Sequence, residues 1–299
     1  MNARAAQPLK VVVRRGGVVE SVHRVHAVAV RDGELVDAAG DPGRVSFMRS
    51  SSKPLQALPL ALARPDLDDR ELAIACASHL ADDDQLAAVR SLLARAPATE
   101  DELECGPHGD PPARIKHNCS GKHAGMLALC RAEGWESAGY RLPEHPVQRA
   151  ALEVHAAAAE LDAKGIPTAV DGCGVVTFAL TLERTARAFA RLERQPGGDR
   201  VAAAMRAHPE LIRGHGAPDT ELMRSLPGWI AKGGAEGLLC AASSDGLAVA
   251  LKVEDGAGRA HKPALAAFLE RLGHPLPQLA EELVENSRGE VVGAISLDP

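Results

Sequence analysis

Aromatic residues are nearly missing from this chain of 299 residues, which has two Trp, one Tyr and four Phe. The core must therefore be filled by Leu, Val and Ala, and a hydrophobic content of 45% is enough to do so. The same shortage excludes the stacking platforms on which single-strand nucleic-acid binders rely. A net charge of −6 offers no basic surface for a phosphate backbone, so no nucleic-acid partner is expected. Long apolar runs are missing too. No stretch approaches the ~18 apolar residues that mark a membrane span. The longest apolar run near the start is three valines, too short for the core of a signal peptide. A cytoplasmic location with no membrane partner is the expectation. None of the six cysteines forms a CxxC pair, so they read as thiols or ligands rather than disulfides.

Val-rich, partly alternating sequence predicts two or three strands over 10–36, with Asp32-Gly33 as a hairpin turn. Helices are expected over 54–63 and twice within "DLDDRELAIACASHLADDDQLAAVRSLLARA". Asp68 or Asp69 is placed to cap the first of this pair, and Asp82, Asp83 and Asp84 crowd the start of the second. A Gly-, Pro- and His-rich loop leads into a helix over 122–132. Further helices are expected in "HPVQRAALEVHAAAAELD", over 177–194, in "RVAAAMRAHPELI" and in "PALAAFLERLG". Strands return at the end, as a hairpin turning at Ser244-Asp245-Gly246 and a last strand in "GEVVGAISL". No internal repeat or low-complexity linker divides the chain. The economical fold is of α/β (α+β) type, with N- and C-terminal strands in one mostly antiparallel sheet and a helical middle layer. It would make a single two-lobed domain over 1–299.

Two stretches stand out chemically. In "HNCSGKHAGMLALC", a Gly-Lys pair suggests a phosphate loop, but that loop needs Gly at position 116 and Ser or Thr at 123, where Lys116 and His123 stand. His117, Cys119 and His123 cluster in sequence, and Cys173 sits in the turn "DGCG". Thiolate and imidazole suit zinc or another borderline metal. A cysteine at a helix start and a second buried cysteine fit the same residues. In "RSSSKPLQALPL", Ser50 precedes Lys53 by three residues, so one helical turn would bring the hydroxyl and amine to a shared face. A lysine of lowered pKa can remove the proton of a serine nucleophile. A Ser-rich cap with an exposed lysine is the plainer alternative. Lys232-Gly233-Gly234 adds the lysine-x-glycine element of S-x-x-K hydrolases, and Ser78 in "CASH" is the available middle serine. Either of these also fits a solvated loop or a helix end.

Taken in order, "RSSSKPLQALPL", "ELAIACASH", "CGPH", "HNCSGKHAGML", "HPVQRA", "DGCGVVTFAL", "DTELMRSLPGW", "AKGGAEG" and "ALKVEDG" resemble the asparaginase II family, the rhizobial-type L-asparaginases. The resemblance covers about 12–272. It implies a fold like that of serine β-lactamases and glutaminases, hydrolysis of L-asparagine to L-aspartate and ammonia, and a homodimer. It further implies catalytic pairs Ser50 with Lys53 and Ser78 with Lys232, one zinc ion per chain on Cys119, Lys122 and Cys173, and substrate contacts at Arg49, His123 and Asp171. Leu80-Ala81 departs from the small Ser-Gly pair of the family pattern. The chain is also short around 109–114 and 195–200. A non-catalytic amino-acid-binding homologue and a β-lactamase-like serine hydrolase are the competing functions.

Overall fold

The computed structural model describes residues 7–298. Eight strands form the main sheet: β1 (Leu9–Arg15), β2 (Val18–Arg31), β3 (Glu34–Ala39), β7 (Trp229–Gly234), β8 (Leu238–Ser243), β9 (Leu247–Val253), β10 (Glu281–Glu285) and β11 (Val291–Leu297). Their order is β10-β11-β1-β2-β9-β8-β7, with β3 also on β2, and every pairing is antiparallel. The two ends of the chain do share one sheet, as the sequence pattern suggests. β2 makes the join. Its first half pairs with β1, and its second half lies between β3 and β9. Asp32 and Gly33 take positive φ at the β2–β3 turn, as the Asp-Gly signal requires.

Three further strands, β4 (Val45–Phe47), β5 (Thr168–Val170) and β6 (Val176–Thr181), form a small sheet in the order β4-β6-β5. This corrects the helix expected over 177–194. The chain is a strand to Thr181 and a helix only over Leu182–Leu192, with the Thr181 hydroxyl capping the backbone N–H of Arg184. β6 is buried on both faces at Val176–Leu180, so no polar alternation marked it as a strand.

The helices fill the middle of the chain. Asp68 and Asp82 each close a full capping box, on the helices Asp69–Ala75 and Asp83–Arg95. The helix Ser120–Glu133 packs against both of these and against Leu58–Ala63. Leu182–Leu192 lies on β2, β8 and β9. His261–Arg271 lies on β1, β9, β10 and β11. The core is aliphatic, running from Val11 through the helices to Ile295, with Tyr140, Phe178, Phe189 and Phe268 among its few large aromatic members.

Candidate active site

Ser50 lies in a 3-10 turn, Arg49–Ser52, that runs directly into the short helix Lys53–Gln56. Two features seat this turn against the edge strand β7. The Ser51 hydroxyl donates to the Lys232 carbonyl at 3.0 Å. Gly234 leaves room for the turn, since a Cβ there would stand 2.8 Å from Ser51 Oγ and 2.9 Å from the Met48 carbonyl. The glycines after Lys232 therefore permit close approach of strand and turn. Lys232 is on β7 and 0% exposed, not in a solvated loop.

Ser78 follows the helix Asp69–Ala75, and its backbone N–H is fixed by the Ile212 carbonyl at 2.8 Å. Ser50 and Ser78 line one cavity of about 360 Å³, together with Asn118, Arg213, Asp219 and His261. Gly233, Gly234 and Ala235 form the wall on the β7 side.

The lysines are arranged differently from the expected pairs. Lys53 Nζ meets Ser78 Oγ at 2.9 Å, the Asn118 carbonyl at 3.3 Å and the Ala77 carbonyl. Among the described residues it makes no hydrogen bond to Ser50. Burial pulls the Lys53 amine down from its ordinary value, and the nearby Lys122 charge adds to this against the opposing Cys119 sulfur. Lys232 Nζ donates to the Gly233 carbonyl at 2.7 Å and stands 3.7 Å from the Asp219 carboxylate, with no bond to Ser78. Burial lowers Lys232 to about 8, and Asp219 works against that shift. Asp219, which sequence reading missed, also accepts the Gly233 N–H at 3.0 Å. Its only signal was a place in "DTELM", with nothing to show that the carboxylate meets a lysine on another element.

Cys119, Lys122 and Cys173 come together as the resemblance implied. Lys122 Nζ lies 3.1 Å from Cys173 Sγ. The two thiols behave as a pair. Cys119 is driven well down by a hydrogen bond from Cys173, while that same bond, with burial, holds the Cys173 proton on. Burial disfavours the Lys122 ammonium, but the Cys173 and Cys119 sulfurs outweigh it and raise its pKa. Among the described residues, no group of three His, Cys, Asp or Glu side chains is placed to hold a metal. The ligand set that the resemblance implies therefore needs a lysine amine as its third donor. Two sulfurs and one nitrogen suit a borderline ion, and binding would have to displace protons from both donor types.

None of the expected substrate contacts Arg49, Asp171 and His123 lines the serine cavity itself, but Arg49 adjoins the lining residue Ser50 and stands 3.9 Å from Glu236, next to the lining residue Ala235. Arg49, at φ 50°, donates from Nε to Asp171 Oδ1 at 2.5 Å. Asp171 also accepts the Gly172 N–H at 2.7 Å. His123 is buried, its Nδ1 is 2.7 Å from the Tyr140 hydroxyl, and its Nε2 has no partner among the described residues.

The family described as L-asparaginase II matches residues 11–297. The chain belongs to the L-asparaginase II family. This places it among amidohydrolases, enzymes that split carboxamides. No curated protein matches it. Among solved structures it is similar to a probable glutaminase from Bacillus subtilis complexed with 6-diazo-5-oxo-L-norleucine, at 14% identity over 84% of this chain and 85% of that one, with a TM-score of 0.39. It is also similar to a beta-lactamase from Mycobacterium bovis, at 14% identity over 78% of this chain and 88% of that one, with a TM-score of 0.35.

Proposed function

We propose that this family member hydrolyses L-asparagine to L-aspartate and ammonia through an acyl-enzyme. One observation carries the reading: a buried lysine amine in hydrogen-bond contact with a serine hydroxyl at the wall of a cavity. A neutral amine has two N–H donors and one lone pair. The Ala77 and Asn118 carbonyls accept from Lys53, which leaves its lone pair for the Ser78 hydroxyl. Ser78 then attacks the side-chain amide carbon, and Lys53 takes its proton. The same lysine returns the proton to the departing ammonia. Water repeats the sequence on the ester and releases aspartate. The backbone at Gly234 and Ala235, which lines the cavity at the end of β7, would supply the oxyanion donors. Ser50 lines the same cavity but, among the described residues, makes no hydrogen bond to a lysine, so this reading gives the nucleophile role to Ser78 in place of the S-x-x-K serine Ser50.

Lys232 is a second proton source, held by Asp219. Arg49 offers its remaining N–H groups to the substrate α-carboxylate. Cys119, Lys122 and Cys173 would hold zinc, which when bound would supply a fixed positive charge for orienting substrate.

The test is ammonia release from L-asparagine by the purified chain, with L-glutamine in parallel, with added zinc and after chelation. The inhibitor 5-diazo-4-oxo-L-norvaline is then used to label the nucleophile for peptide mapping. Ammonia from asparagine and a label on Ser78 are expected. Absence of ammonia under every condition refutes the amidohydrolase, and a label on Ser50 returns the nucleophile to the S-x-x-K serine.

A further inference from the structure

The serine cavity does not end at the serines. A second cavity, also of about 360 Å³, shares Asn118 and Arg213 with it. Pockets of ~300–1,000 Å³ accommodate ligands of drug size, so free asparagine would leave much of this joint space empty.

The second cavity has a definite chemistry. Lys116, Arg213, His108 and His117 line it, with no carboxylate among the lining residues. Neither Lys116 nor Arg213 has a carboxylate within 4.0 Å among the described residues. Backbone carbonyls hold both cations instead. Arg213 Nη1 donates to the Ser78 carbonyl at 2.9 Å, which fixes the guanidinium beside the proposed nucleophile. Lys116 Nζ donates to the carbonyls of Asp110 at 3.1 Å and Pro111 at 2.8 Å. Its stem lies over Gly109, where a Cβ would come within 2.9 Å of Lys116 Cδ. In a chain with net charge −6, two positioned cations without acidic partners face one cavity that adjoins the serine cavity at Asn118 and Arg213. Leu80, 62% exposed, adds an apolar wall to it.

The Arg49–Asp171 pair indicates where an extension would attach. Asp171 Oδ1 is engaged by Arg49 Nε and by the Gly172 N–H, so an unmodified α-ammonium is not needed to neutralise this carboxylate. Arg49 Nη1 stands 3.9 Å from the exposed Glu236, which leaves Nη2 for an α-carboxylate.

We propose that the second cavity is an acidic-substituent subsite. The site would then take an asparagine-type carboxamide acylated on its α-nitrogen, whose acyl chain ends in a carboxylate received by Arg213 and Lys116. The chain's methylenes lie along Leu80. The reaction is unchanged by the extension: water adds across the side-chain amide, ammonia leaves, and the N-acyl bond stays intact. This inference rests on the amidohydrolase reading for its turnover, though not for its binding.

The test compares N-succinyl-L-asparagine with N-acetyl-L-asparagine, which lacks the second carboxylate, by calorimetric titration of the full chain. The succinyl compound is expected to bind at least about tenfold more tightly, the worth of one charge-assisted hydrogen bond. Lys116→Met and Arg213→Gln should each reduce that preference. Equal affinities in the native chain, or no binding of either compound, overturn the proposal, and both readings stand without a variant having to fold. Ammonia from free L-asparagine with no preference between the two compounds refutes the extension and keeps the amidohydrolase. A clear preference with no ammonia from any substrate does the reverse.

Discussion

At the scale of single residues, the chemistry turns on where one amine keeps its protons. Lys53 is 0% exposed, and its amine meets three oxygens, of which only Ser78 Oγ carries a proton it could take in the neutral form. Lys53→Met keeps the unbranched stem and removes the amine, at the cost of leaving the Ala77 and Asn118 carbonyls without this donor. Loss of a general base should lower kcat by about 10²–10⁴-fold, with KM for asparagine nearly constant. Lys53→Arg separates this from a merely structural role. Guanidinium keeps the positive charge and the donors but does not deprotonate. A base role therefore leaves Arg as inactive as Met, whereas recovery of kcat by Arg would show that Lys53 serves only to hold Ala77, Ser78 and Asn118 in place. The readout is steady-state ammonia release, with thermal unfolding to confirm that each variant is folded.

At the scale of elements, close packing explains the glycine of "NCSGKH". A Cβ at Gly121 would lie 2.1 Å from the Ile74 carbonyl oxygen, and one at Gly125 would press on Leu60 and Ala75 at 3.1 and 3.2 Å. The two glycines stand one turn apart and let the helix Ser120–Glu133 touch its neighbours backbone to backbone at Gly121 and backbone to side chain at Gly125. Gly121→Ala must push that helix off the end of Asp69–Ala75, carrying Cys119 and Lys122 with it. Overpacking of this kind costs roughly 1–3 kcal/mol, to be read as a lowered urea midpoint together with a loss of zinc affinity. An unchanged midpoint would mean that the two helices separate freely. The sequence made such elements legible wherever a local rule acts. The capping aspartates, the Asp-Gly turns and the helical periods all act over a few neighbouring residues, and each has its expected counterpart except at 177–181, where a strand stands in place of the expected helix. β4, β5 and β6 lacked such a mark, being either very short or buried on both faces. Site geometry was legible in its membership but not in its partners. Ser50, Lys53, Ser78 and Lys232 were all singled out, yet the lysine stem carries its amine to residues 77, 78 and 118, and Lys232 meets Asp219 from another element. Long flexible side chains choose partners in three dimensions, which spacing along the chain does not encode.

At the scale of the whole molecule, the pH range of stability follows from how many titratable groups are buried neutral. His79 and His155 are each lowered to about 4, by burial first, with the Lys53 charge adding to the effect at His79. The unfolded chain takes up these protons near 6.5 and the folded chain does not. The stability they contribute is therefore present above 6.5 and is lost as pH falls towards 4. The buried thiols act at the other end. Burial raises Cys76 and Cys240 to about 12, and Cys105 and Cys130 to about 11, from an unfolded value of 9.0. Their contribution is complete below 9.0 and is lost as pH rises through the folded values. Lys232 has the opposite sign, since a lysine lowered from 10.5 to about 8 gains relative stability across that interval. It offsets part of the thiol loss up to 10.5 and none beyond. Urea midpoints measured under reducing conditions should therefore decline below 6.5, rise slightly between about 8 and 9.0, and fall most steeply above 10.5. Lys232→Met removes the offset, so the rise between about 8 and 9.0 should disappear and the decline between 9.0 and 10.5 should steepen. If the variant and native curves have the same shape between 9.0 and 10.5, Lys232 is charged in the folded protein, and it would act there as a fixed cation rather than as a proton source.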